Sequence, residues 1–122
     1  MADPSSAELL FARSDPVVLA IYEIINDNLL STGSLVQSIN QSSIHLVSGS
    51  TFAGVHPMRA RLRLTIRLDR PLNDDRVRKS ERVSANRYHH EVDIFSPSQV
   101  DAQLLAWLEA ARDLSQRKSK GE

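Results

Sequence analysis

The chain has 122 residues, 41% hydrophobic and 25% charged, a balance that excludes a mostly disordered chain and fits one domain of ordinary size. It has no cysteine, which excludes a disulfide scaffold, a thiol nucleophile and a cysteine-ligated metal. Its 15 basic and 15 acidic residues cancel overall but not locally: residues 1–58 carry −4, residues 59–87 carry +6 and residues 88–122 carry −2.

Met1 to Ser6 include Asp3 and no basic stretch, and no apolar run of a signal peptide follows. No secretory signal is expected, and the location is read as cytoplasmic. No run approaches the roughly 18 apolar residues of a membrane span. Asp3-Pro4 has the pattern of a helix cap followed by proline at the first helical position. Residues 7–12 read as a short helix or a docked extension. A second start stands at Ser14-Asp15-Pro16, and Val17, Ile21, Ile24 and Ile25 recur behind it at helical spacing. This predicts an amphipathic helix of about four turns. Ser31-Thr32-Gly33 closes it, with Gly33 suited to a left-handed C-terminal position.

The middle of the chain reads as β. Leu35 to Ile39 is a short strand. Ser43 to Val47 and Thr51 to His56 form a hairpin across Ser48-Gly49-Ser50, and Pro57 ends it. The clearest strand is Arg61 to Leu68. Leu62, Leu64, Ile66 and Leu68 line one face, and Arg61, Arg63, Thr65 and Arg67 line the other. Strict alternation of this kind marks a sheet with one buried and one wet face. Residues 69–87 show no clean period. They read as a nineteen-residue loop with one short turn or strand near Val77 or Val83, and structureless loops of that length are often functional. Tyr88 to Ile94 is the last strand.

Ser96-Pro97-Ser98-Gln99 then predicts a helix start, with Ser96 as cap and Gln99 as the partner of a capping box. Val100, Leu104, Trp107, Leu108 and Ala111 form its apolar stripe. Asp101 and Arg112 suit the helix dipole. Residues 116–122 read as a frayed polar tail. The expected architecture is a single α+β domain over 1–122: an N-terminal helix, an antiparallel sheet of four to five strands, and a C-terminal helix packed on one sheet face.

His89 and His90 are adjacent on a strand, so they point to opposite faces. His89, Glu91 and Asp93 share a face and offer nitrogen and oxygen donors, the best form of a metal-assisted enzyme here. The competing reading pairs Glu91 and Asp93 with Arg63 and Arg67 on a neighbouring strand, and it is preferred. His90 is expected to be partly buried and bonded to a backbone carbonyl. There is no Gly-x-Ser-x-Gly elbow, and four glycines leave no phosphate-cradling loop. The pair Asp74-Asp75 reads as solvated or as a cap. No catalytic residue, metal or cofactor is expected.

The arginines are the strongest remaining signal. Arg59, Arg61, Arg63 and Arg67 project to one side of about one strand length, with same-face residues about 6.5–7 Å apart, comparable with phosphate spacing in nucleic acid. With Arg76, Arg78, Lys79 and His89 they form the candidate site for an anionic or acidic partner, either nucleic acid or an acidic protein. Aromatics at 5% supply little of the stacking that single-strand binders use. The alternatives are a salt-bridged solvent face and a self-association or protein-interaction surface, a homodimer included. No membrane partner is expected.

Three blocks carry a family resemblance: Leu10-Phe11-Ala12 through Ile24; Thr51-Phe52-Ala53-Gly54-Val55-His56-Pro57 with the following strand; and Arg87-Tyr88-His89-His90-Glu91-Val92 with Ser96-Pro97 and Trp107. In this order, over roughly residues 8–114, they resemble a bacterial family called domain of unknown function 5655. The resemblance implies a compact α+β domain similar in layout to the small YdhG-like domains. It also implies that relatives stand alone or are joined to larger proteins, some concerned with DNA modification and some labelled as predicted transport proteins. It implies no activity and no set of catalytic residues. In the hairpin, Ile44-His45-Leu46-Val47 replaces a stretch that is more basic and aromatic in the commoner pattern, which weakens a nucleic-acid role inferred from relatives.

Overall fold

A computed structural model describes residues 9–119 of the chain. The expected cap at Asp3-Pro4 lies outside them. Leu9 and Leu10 are helical, and Phe11 docks on Tyr22 with ring centroids 5.2 Å apart. Helix α1 spans Pro16–Thr32, with proline in its first turn. It buries Val18, Ile21, Tyr22, Ile25 and Leu29, a stripe at helical spacing; Ile24 is only half-buried. The backbone N–H of Asp15 donates to the carbonyl of Arg59 at 2.7 Å, which ties the start of α1 to the sheet.

Six strands follow: β1 Val36–Ile39, β2 Ile44–Ser48, β3 Ser50–Pro57, β4 Leu62–Leu68, β5 Val77–Ser84 and β6 Arg87–Ile94. The sheet order is β1-β2-β3-β4-β6-β5, antiparallel throughout. Gly49 turns β2 into β3 at φ 80°, a backbone that favours glycine. Strand β4 buries Leu62, Leu64, Ile66 and Leu68, and each such side chain contributes about 1.5–3 kcal/mol.

Strand β5 is the main correction. Eight residues of the expected loop, Val77–Ser84, form a complete edge strand. Sequence periodicity misses it because all but Val77 are exposed, so neither face needs apolar residues. The sheet therefore has six strands rather than four or five. The crossover 69–76 carries the chain past the place β6 later fills. Buried His90 pins it: its Nε2–H donates to the Arg70 carbonyl, which can only accept, at 2.8 Å. Ser80 on β5 then donates to Nδ1 at 2.7 Å.

The C-terminal start divides in two. Pro97–Gln99 is a 3-10 turn, where the Gln99 side chain accepts the backbone N–H groups of Phe95 and Ser96. Helix α2, Ala102–Ser119, begins separately, with the Asp101 carboxylate accepting the Leu104 N–H at 2.9 Å. It runs past Gln116, where a frayed tail was expected, and Gln116 donates to the Ser48 hydroxyl at 2.7 Å. Leu104, Trp107, Leu108 and Ala111 pack on the apolar sheet face beside α1. Among the described residues no helix is long and apolar enough to cross a membrane.

Gly33 is not left-handed: its φ is 171°, extended backbone. It is needed for space. The guanidinium of Arg112, only 4% exposed, donates to the Leu29 carbonyl and the Thr32 hydroxyl at 2.7 Å each. It thereby caps the last turn of α1 from another helix. A Cβ on residue 33 would lie 3.0 Å from the Arg112 guanidinium carbon. Arg112→Met should lower stability by about 1–3 kcal/mol, since it orphans a buried carbonyl. Gly33→Ala should also destabilise, and the double variant should cost less than the sum, because both act on one contact. Urea unfolding of the three variants checks this.

Candidate anion-binding site at the end of the sheet

The wet face of the sheet is laid out by register. Arg63 stands opposite Asp93, Thr65 opposite Glu91, and Arg67 opposite His89. Directly opposed side chains have Cβ atoms about 4.5–5.5 Å apart. Arg63 grips Asp93 with two hydrogen bonds, 2.8 and 3.1 Å. Arg61 reaches the same carboxylate at 3.2 Å, near enough for an ion pair but not aligned for a hydrogen bond, and its guanidinium lies over the Phe95 ring. Arg78 holds Glu91 at 2.7 Å. Both carboxylates of the expected His89-Glu91-Asp93 cluster are thus committed to arginine. Among the described residues no group of three His, Asp or Glu could hold a metal ion.

Arg76 lies elsewhere. It binds Asp74, Asp101 and the Gln99 carbonyl, and its guanidinium stands over Trp107. It clamps the crossover to the start of α2. Arg59 is exposed in the β3–β4 turn, before the start of the strand that carries Arg63 and Arg67. Lys79 is exposed opposite Glu91 without an ion pair among the described residues.

The remaining cations gather at the other end. Arg67, His89 and Arg87 share the wet face, and among the described residues neither Arg67 nor Arg87 has an ion pair or a side-chain hydrogen bond. They line a half-open cavity of about 620 Å³ with Ser50, Thr51, Phe52, Val83, Ser84, Ala85, Asn86, Ala111, Leu114 and Ser115. No carboxylate is among the lining residues. Burial, and then the charge of Arg67, hold His89 below the ordinary histidine value; Glu81, opposite it on β5, pulls the other way.

Two bulges make this space. Leu46 pairs with Ala53 but Val47 with Thr51, so Phe52 is an extra residue in β3. Before Ala53, the start of β3 does not pair with β4. Likewise Arg82 pairs with Tyr88 but Ser84 with Arg87, so Val83 is extra in β5. An extra residue bends its strand and breaks the ladder. Both bulged residues line the cavity, which therefore lies where the sheet opens. Arg87 escapes the sequence reading because β6 starts one residue earlier than the expected Tyr88, which gives Arg87 the odd-numbered spacing of His89, Glu91 and Asp93.

The family model described as Domain of unknown function (DUF5655) matches residues 7–115. The chain belongs to that family. In this DUF5655 domain the match includes every cavity-lining residue, Ser50 through Ser115. No curated protein and no solved structure matches the chain.

The Asp93 carboxyl is held below its ordinary value, first by the Arg63 hydrogen bonds. A carboxyl lowered in this way adds stability above about pH 3.9 and loses it as pH falls through its folded value. Asp93→Asn should cost about 1.5–3 kcal/mol at pH 7. It should also flatten the loss of stability between about pH 4 and pH 2, leaving a residual slope from Asp74 and Asp101, which are lowered too. Urea midpoints across pH measure both effects.

Proposed function

We propose that this DUF5655 chain is a non-catalytic binding module that receives an anionic group at the open end of its sheet. The observation that carries the reading is the contrast along one face: Arg61, Arg63 and Arg78 are neutralised by internal carboxylates, whereas Arg67 and Arg87 flank a cavity without one. Guanidinium forks match the oxygens of phosphate and carboxylate, and the groups beside them are hydroxyls and an amide. The original row from Arg59 to Arg67 is interrupted by the Asp93 pair, which disfavours an extended nucleic-acid track and favours a compact anionic group.

Inorganic phosphate at about ten times its Kd should raise the unfolding midpoint by about 4–7 °C over chloride at equal ionic strength. Arg67→Glu should abolish the rise. No rise, or an equal rise in the variant, overturns the reading.

The two sheet edges favour a second reading, self-association. Edge β5 carries Arg78, Lys79, Glu81 and Arg82, charges that discourage strand pairing. Edge β1, Val36–Ile39, is uncharged and exposed at each residue, with Val36 at 61%. If β1 pairs with β1 of a second copy, light scattering after size exclusion will show a dimer that Val36→Lys converts to monomer. A wild-type monomer at high concentration removes this reading.

A further inference from the structure

The cavity is larger than one oxyanion requires: about 620 Å³ lies within the range of small-molecule sites, about 300–1,000 Å³. Its walls differ in chemistry. The wet sheet face supplies Arg67, Arg87 and His89, and the β2–β3 turn side supplies Ser50 and Thr51. Helix α2 supplies Ala111 and Leu114, and the β5 bulge presents Val83, 45% exposed. The lining thus combines guanidinium, hydroxyl and amide groups with hydrocarbon from α2 and the β5 bulge. Such a combination suits a molecule with an anionic head and an apolar body.

Charge narrows the head group. Two guanidinium groups face the cavity, and burial and then the charge of Arg67 hold His89 below the ordinary histidine value, which favours its neutral ring. Glu81 flanks His89 from β5 but does not line the cavity. A net charge of about +2 matches a phosphate monoester, which carries about −1.5 to −2 at pH 7. A single carboxylate would leave one arginine unpaired.

We propose that the cavity binds a small organic phosphate monoester, with the phosphate on Arg67 and Arg87 and an aryl-sized apolar body between Val83 and Leu114. This rests on the anion-binding reading and adds the apolar half.

Calorimetric titration of the full chain with 1-naphthyl phosphate, inorganic phosphate and 1-naphthol tests it. Naphthyl phosphate should bind at least about tenfold tighter than inorganic phosphate, because it also buries apolar surface. Naphthol should bind far more weakly than naphthyl phosphate. The double variant Arg67→Ala, Arg87→Ala should lose at least about 100-fold for naphthyl phosphate with its circular dichroism unchanged, since these side chains bond nothing among the described residues. Val83→Ser, at an exposed position, should weaken naphthyl phosphate several-fold and leave inorganic phosphate unchanged. Equal affinity for the two phosphates, both lost in the double arginine variant, overturns this inference and leaves the anion site standing. Naphthol binding as tightly as naphthyl phosphate also overturns it. Phosphate binding that is absent, or unaffected by the arginine variants, overturns both.

Discussion

A strand in which leucine and isoleucine alternate with arginine and threonine can be buried in only one register. Strand β4 is that strand, and the fold is arranged around it. A slip by one residue would put Arg63 and Arg67 under the helices and Leu64 and Ile66 in water. With β4 set, β3 and β6 on either side must present Val55, Ala53, Val92 and Ile94 to the same side. Helices α1 and α2 then cover one face only. The other face stays wet, and pairing with β4 fixes where Glu91 and Asp93 stand on it relative to Arg63 and Arg67.

Regular pairing does not persist to the end of the sheet, and the departure has a local cause. The extra residue at Phe52 turns the start of β3 away from β4, and the extra residue at Val83 bends β5 against β6. Helix α2 reaches this end and is fastened there: the Ser115 hydroxyl donates to the Ser48 carbonyl at 2.7 Å. The floor is therefore firm while the sheet above it is parted. A bulge gives up ladder hydrogen bonds, and bulges are over-represented beside functional sites. Two of them facing one cavity are hard to explain by packing alone.

The elements legible in the sequence are those whose periodicity answers to a core. Helix α1, strands β4 and β6 and the apolar stripe of α2 are of this kind, and so are the β2–β3 hairpin with its turn at Gly49 and the backbone partner of His90. What escaped was decided by tertiary contact or by exposure. Strand β5 has no buried face, so it left no pattern. Gly33 reads as a turn residue because the arginine it makes room for lies in a distant helix. Ser96-Pro97 carries the marks of a helix start, but the chain makes one 3-10 turn and starts again at Asp101. The bulges at Phe52 and Val83 depend on which strands meet, and no local spacing reveals that.

The +6 segment shows how register turns a charge count into a distribution. Arg63 meets Asp93 directly, and Arg61, two residues away on the same face, shares that carboxylate. Glu91 lies opposite Lys79 on β5, yet the irregularity between Val77 and Lys79 brings Arg78 to it instead. Arg67 is different because its cross-strand partner is His89, which has no negative charge to offer and whose protonation is disfavoured by burial and by the arginine itself. Glu81 stands one strand further off, and Arg87 adds a second unpaired guanidinium on the same face. Two guanidinium groups of the middle segment, Arg67 and Arg87, thus stand without a carboxylate beside the place where β3 leaves β4, and an anion entering there would complete a pairing that Arg61, Arg63 and Arg78 have already made internally.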